Sequence, residues 1–87
     1  MEKSLLDLLN REKVSVWNVN GLESKIETYR MEIVRLQENY EPSEWRDSDM
    51  ARLEEKISSF IDEMVAERSR LKDIRSEIRE YLQEVLK

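Results

Sequence analysis

Apolar side chains in the second half of the chain recur at alternating steps of three and four residues. The positions are Met50, Leu53, Ile57, Phe60, Met64, Glu67, Leu71, Ile74, Ile78, Tyr81 and Val85, and only Glu67 among them is polar. This heptad spacing places every one of them on one side of an α-helix. It predicts a long helix over residues 48–87, about 60 Å in length at 1.5 Å per residue. A helix of that length is typical of a hairpin or bundle.

A second seam precedes it and has the same spacing. Its apolar members are Leu22, Ile26, Tyr29, Ile33, Leu36 and Tyr40. They predict a helix over 21–41, which Pro42 ends because the residue before a proline is disfavoured in the helical region. The turn is expected over 42–47, with Ser43, Asp47 and Ser48 as alternative N-caps of the next helix. The predicted fold is therefore all-α, a single domain (1–87) built as an antiparallel, coiled-coil-like helical hairpin.

The N-terminal segment has two parts with different composition. Residues 4–13 predict a short helix with Ser4 as its N-cap. Residues 14–20 (VSVWNVN) combine β-branched and asparagine residues, which lower helix propensity and favour an extended or irregular segment. Asn20 and Glu23 have the spacing of a capping box, so the first long helix is expected to begin near Gly21.

Folding the chain about Pro42 brings residue i close to residue 87−i. Glu67 then falls opposite Asn20 and the VSVWNVN segment. A buried carboxylate requires hydrogen-bond partners, and Asn18, Asn20 and the indole N–H of Trp17 are the candidates. The alternative is that Glu67 points to solvent where the seam frays.

Composition argues against catalysis. The chain has no Cys, no His and one Gly, so it lacks thiolate nucleophiles, the commonest general base and any glycine-rich phosphate loop. Neither a catalytic residue nor a cofactor or metal site is predicted. No apolar run approaches the ~20 residues that cross a membrane, and the N-terminus lacks the apolar core of a signal peptide. A cytoplasmic protein without membrane association is expected.

Two stretches resemble known proteins. The run LKDIRSEIREYLQEVLK resembles the opening helix of the small all-helical chorismate mutases. In that family the helix comes first and supplies an active-site Arg, whereas here it is last and no residues matching the family's later positions follow, so no enzyme is predicted. The run MARLEEKISSFIDEMVAERSRLKDIRSEI resembles helical hairpins of some small phage-encoded proteins, including regulators, which suggests a phage or bacterial origin.

Charge is sorted along the last helix. The basic stripe comprises Arg68, Lys72, Arg75 and Arg79, and an acidic stripe comprises Asp73, Glu77, Glu80 and Glu84. The basic stripe either pairs with the chain's own acids, for which Glu12 and Asp7 are placed, or docks an acidic protein, or contacts nucleic acid. The net charge of −5 argues against nucleic acid as the main partner. Trp17 and Trp45 lie off both seams and are candidate partner-binding residues.

The apolar surface is wider than one seam because Val34, Ile61, Val65, Leu82 and Leu86 extend it. Two helices cannot cover that width, so a homodimeric helical bundle is expected. Its candidate self-association seam is Leu71, Ile74, Ile78, Tyr81 and Val85. The stripe charges favour a parallel meeting of two last helices and Arg70 opposes it, so the direction stays open. The predicted function is a non-enzymatic protein–protein interaction module (adaptor, inhibitor or assembly factor). The alternative is a nucleic-acid-linked transcriptional regulator that uses the basic stripe.

Overall fold

The computed structural model describes residues 4–86 and contains two long helices in antiparallel contact. Helix α1 spans Leu5–Asn39 and helix α2 spans Glu44–Val85. No strand occurs within the described residues. The hairpin measures 65 × 18 × 15 Å, so it is a rod one helix pair thick. The predicted all-α helical hairpin is confirmed.

Helix α1 is continuous through VSVWNVN, so the prediction of an extended or irregular segment over 14–20 is wrong. There is no separate helix over 4–13 and no new start at Gly21. Heptad spacing explains the continuity, since it runs unbroken through the segment at Leu8, Glu12, Ser15, Val19 and Leu22. Ser15 and Val19 are buried against α2. Burial of this face outweighs the few tenths of a kcal/mol that each β-branched or Asn residue costs in a helix.

Serine caps define the start of each helix. The hydroxyl of Ser4 accepts a hydrogen bond from the backbone N–H of Asp7, at 3.1 Å, as predicted for that cap. The hydroxyl of Ser43 accepts one from the backbone N–H of Arg46, also at 3.1 Å. Helix α2 therefore begins at Glu44, four residues before the predicted start at 48, and the connection shortens to 40–43. Residue 87, the predicted last helical residue, lies outside the described part of the chain.

Pairing between the helices follows the predicted register. The ion pairs Glu12–Arg75, Arg11–Glu77 and Glu23–Arg68 have residue numbers that add up to 87, 88 and 91. The apolar core is one line of side chains between the helices: Leu8, Val19, Ile26, Leu36, Ile57, Leu71 and Ile74. In the middle of the rod the rings of Tyr29 and Phe60 lie 5.4 Å apart. One seam of side chains therefore holds the two helices together, and the surface of each helix outside that seam faces solvent.

Candidate interaction surface

A polar cluster interrupts the apolar core at Glu67, which is 9% exposed. The Ser15 hydroxyl donates to Glu67 Oε1 at 2.8 Å, and the Asn18 amide donates to the same oxygen at 3.4 Å. The Arg70 guanidinium donates to Oε2 at 2.9 Å. The prediction that Glu67 faces the seam and bonds to Asn18 is confirmed, and the solvent-facing alternative is wrong. Neither Asn20 nor the Trp17 indole appears among its partners.

Ser15 is the member of this cluster that sequence reasoning missed. It is 2% exposed and lies directly across from Glu67. The sequence contains a signal that Ser15 faces the seam, because Ser15 occupies a heptad position between Leu8 and Leu22 once residues 14–20 are taken as helical. A small hydroxyl at this position leaves space for the carboxylate and supplies it with a donor. The cluster favours one register of the two helices, since sliding either helix by one turn would separate Glu67 from Ser15 and Asn18 and leave Arg70, on its own helix, as its remaining partner.

Removing one member of the cluster should destabilise the hairpin more than removing both. Ser15→Ala withdraws the only fully buried donor and should lower the free energy of unfolding by about 1–3 kcal/mol. Ser15→Ala combined with Glu67→Leu replaces both groups by apolar ones and should recover that loss or exceed the stability of the unmodified chain. Urea unfolding of the four chains of this double-mutant cycle measures the coupling. Equal stability of all four would contradict the buried hydrogen bond.

The basic stripe is half neutralised by the chain itself. Arg68 donates to Glu23 at 2.7 Å and Arg75 donates to Glu12 at 3.0 Å. Glu12 is thus the predicted intramolecular partner, while Asp7 has no ion pair among the described residues. Lys72 and Arg79 are exposed, and no ion pair or hydrogen bond of theirs occurs within residues 4–86. Two of the four stripe cations are therefore paired within the hairpin, and the other two have no ion pair among the described residues.

The predicted self-association seam is partly occupied inside the hairpin. Leu71 and Ile74 are buried against α1, so they are unavailable to a second copy unless the helices separate. Ile78 and Tyr81 are half-buried, and Val85 is 61% exposed. The physical reason is that α1 continues to Leu5 and covers this seam along most of its length. A dimer built on the whole of Leu71–Val85 is incompatible with the hairpin.

Exposed leucines gather at the open end of the rod. Glu23 and Arg68 form an ion pair on one flank of the hairpin. Leu9 lies two heptads before Glu23 and Leu82 lies two heptads after Arg68, so both leucines lie on that same flank. Leu6 and Leu86 extend the surface by one turn on each helix. We call these four exposed residues, Leu6, Leu9, Leu82 and Leu86, the leucine patch. Along α2 it continues the line of the basic stripe.

The two tryptophans have different surroundings. Trp45 lies in the first turn of α2, where its ring packs edge-on against Tyr40 at 5.1 Å between centroids. The Arg46 guanidinium donates to the Tyr40 carbonyl at 2.9 Å and ties the turn together. Trp45 therefore closes that end of the rod while remaining exposed on one side. Trp17 is 77% exposed on α1, and no ring stacking or hydrogen bond of its side chain occurs in the described residues.

Within the described residues no group of three or more acidic, His or Cys side chains could hold a metal ion. Neither described helix is long and apolar enough to cross a membrane. No family model, curated protein or solved structure matches the chain. The fold and the surface alone therefore define the class of protein. It is an antiparallel helical hairpin with exposed apolar faces.

Proposed function

We propose that this protein is a non-enzymatic interaction module that binds another protein through one flank of the hairpin. The observation that carries this proposal is the leucine patch and its continuity with Lys72 and Arg79. Among the described residues, twelve large apolar side chains are exposed and seven are buried. Scattered apolar residues on a surface need no explanation, but four leucines on one flank form a contiguous patch of the kind that marks an interaction site.

The partner is defined by the chemistry of this face. From Arg68 to Leu86 the line runs basic and then apolar over about 27 Å, the length of five helical turns. An amphipathic helix with leucine-like side chains at one end and Asp or Glu at the other fits it. The leucines would supply most of the affinity by burial, and Lys72 and Arg79 would orient the partner.

A protein partner is favoured over nucleic acid by the pairing of the stripe. Two of its four cations already neutralise Glu12 and Glu23, and the chain carries a net charge of −5. Binding to a nucleic-acid backbone depends on several unpaired Lys or Arg side chains and on a positive field. The leucine patch would also have no role in contacts with phosphates.

Substituting the leucine patch should abolish partner capture without unfolding the protein. Tagged protein carrying Leu82→Glu and Leu86→Glu is compared with unmodified protein in capture from the source cells, and bound proteins are identified by mass spectrometry. We expect the captured amount of one or a few specific proteins to fall tenfold or more. A tenfold loss of affinity corresponds to about 1.4 kcal/mol of binding free energy. Gln83→Glu is the matched control, since it adds an acid to the same helix turn at an exposed position. Thermal melts of each variant verify folding.

Salt dependence then separates the two classes of partner. Binding of the identified protein should weaken only modestly between about 0.15 and 0.5 M salt, because apolar burial dominates it. Retention of the same proteins by the Leu82→Glu, Leu86→Glu variant would contradict the proposed surface. Recovery of nucleic acid whose binding falls steeply with salt and survives the leucine substitutions would favour a regulator instead.

A further inference from the structure

A line of uncharged residues follows the solvent-exposed side of α1, and its N-terminal half borders grooves that α2 also lines. Its seven members step by four and three residues: Asn10, Val14, Trp17, Gly21, Ser24, Thr28 and Met31. All seven are exposed in the hairpin. Charged residues make up 40% of the whole chain, and solvent-facing helix positions are normally where such charges lie. We call this line the outer stripe; its spacing is that of a second helix-packing seam with no helix in the chain to cover it.

Gly21 lies at the centre of the outer stripe and has no role within the hairpin. Its φ is not positive, so no special backbone conformation requires glycine. A Cβ added there would meet no atom within 4 Å, so no neighbouring element requires the space either. Glycine within a helix lowers helix stability relative to alanine. Gly21 therefore lowers helix stability without improving packing within the monomer. A glycine of this kind indicates that another molecule closely approaches the helix backbone at this position.

The surface beside Gly21 is a shallow groove of about 470 Å³. It lies between the helices: Trp17, Gly21 and Lys25 line it from α1, and Arg70 is among the residues that line it from α2. Trp17 is the most exposed aromatic side chain described. A large exposed indole one helical turn from a notch is a self-complementary arrangement, since a two-fold axis between them would exchange the two features.

We propose that two copies of the chain pair through the outer stripe as antiparallel α1 helices, with Trp17 of each copy filling the notch at Gly21 of the other. In this register residue i lies opposite residue 38−i of the second copy. Val14 then faces Ser24, and Asn10 faces Thr28, so each larger side chain meets a small or polar one. Small residues at such positions allow helices to approach closely.

On one flank of the outer stripe the charges are complementary in the same register. Lys13 and Glu27 lie on one flank and Asn20 lies between them, so antiparallel pairing brings each Lys13 to Glu27 of the second copy. Both are exposed, and neither has an ion pair within the described residues. On the other flank this register places Arg11 beside Lys25 of the second copy, but the charge of Arg11 is already offset by Glu77 and that of Glu32 by Arg35. A parallel pairing would place Lys13 beside Asn18 and Glu27 beside Glu32 of the second copy, and so lose this complementarity.

Sedimentation equilibrium over a concentration series in about 0.15 M salt tests the proposal. Unmodified protein should form dimers. Gly21→Leu should weaken dimerisation roughly tenfold or more, because the notch is filled. Trp17→Ala should weaken it comparably. Ser69→Leu places the same bulk on the outer side of α2 and should leave the dimer unchanged, and Gly21→Ala should melt at a higher temperature as a monomer while dimerising less tightly.

A charge exchange gives a second, independent readout. Lys13→Glu should weaken the dimer, and Lys13→Glu combined with Glu27→Lys should restore it, since the reciprocal pairs are re-formed with opposite sign. Unmodified protein that stays monomeric at every concentration would overturn the proposal. So would a dimer that Gly21→Leu and Trp17→Ala leave intact, or a charge exchange without recovery. Because the leucine patch lies outside these variants, partner capture should be retained in each.

Discussion

Ile74→Ala should lower the free energy of unfolding by about 2–5 kcal/mol, the range measured for large-to-small substitutions in protein cores. Ile74 is 3% exposed, the least of any apolar residue on α2, and it packs against α1. The hairpin has one line of buried side chains, so few neighbouring atoms can move to fill the space. A small single-layer core also has little stability in reserve. Urea denaturation followed by circular dichroism measures the loss.

Val85→Ala is the matched control for this substitution. Val85 continues the same seam eleven residues later but is exposed, so its truncation should change stability by no more than about 0.5 kcal/mol. Ile57→Ala, on the buried part of the seam nearer the turn, should behave as Ile74→Ala does. Similar melting of the Ile74→Ala and Val85→Ala variants would mean that α1 does not cover this seam.

Val14→Pro should lower the free energy of unfolding by about 3 kcal/mol or more. Proline within a helix removes a backbone hydrogen bond and clashes with the carbonyl four residues earlier. Val14 is 54% exposed, so the substitution acts on the backbone rather than on the core. An extended or irregular segment would accept proline with little loss. Circular dichroism at a fixed protein concentration reports both the helix content and the unfolding midpoint.

Val14→Ala separates the backbone effect from the loss of the valine side chain. Alanine has the higher helix propensity, so this variant should be as stable as the unmodified chain or slightly more so when both are measured as monomers, which removes any contribution of Val14 to the proposed dimer. Stability of the proline variant equal to that of the alanine variant would contradict a continuous α1. Both substitutions leave the core residues in place, so neither outcome can be attributed to a cavity.

Periodicity was the part of the sequence that predicted the fold well. The α2 seam and the seam from Leu22 to Tyr40 predicted the two paired helices. The turn at Pro42 predicted the register, that is, which residues of the two helices face each other. The prediction of an extended or irregular segment over VSVWNVN was wrong because it gave local helix propensity more weight than the heptad period. Val14, Val16 and the asparagines disfavour helix individually, yet Val19 and Ser15 continue the heptad spacing, and contact with α2 is worth more than those preferences.

The interaction surfaces were harder to predict because they depend on which charges the chain satisfies internally. The sequence left open whether the basic stripe pairs within the chain or docks a partner; the hairpin pairs Arg75 with Glu12, as the first alternative predicted, and Arg68 with Glu23. The leucine patch combines residues from opposite ends of the chain, so no local pattern reveals it. The outer stripe is local, and its heptad spacing could have been found once α1 was taken as unbroken through Gly21.

Each of these surfaces depends on one arrangement: an unbroken α1 lying antiparallel to α2 in the same chain. Electron–electron resonance between spin labels tests it directly, because the chain has no native Cys to interfere. One protein carries labels at Asp7 and Glu38, and a second carries them at Asp7 and Glu80. All three substituted positions are on the exposed surface. Dilution with unlabelled protein restricts the signal to distances within one chain.

The arrangement predicts a narrow distribution near 46 Å for the labels at 7 and 38, the length of 31 helical residues at about 1.5 Å each. It predicts roughly 20–30 Å for the labels at 7 and 80, since paired helix axes lie about 8–10 Å apart and both labels point outward. A broad distribution for the first pair would show that α1 is broken at 14–20. A distance beyond the measurable range for the second would show that the hairpin is open, and the proposed surfaces would then be wrong.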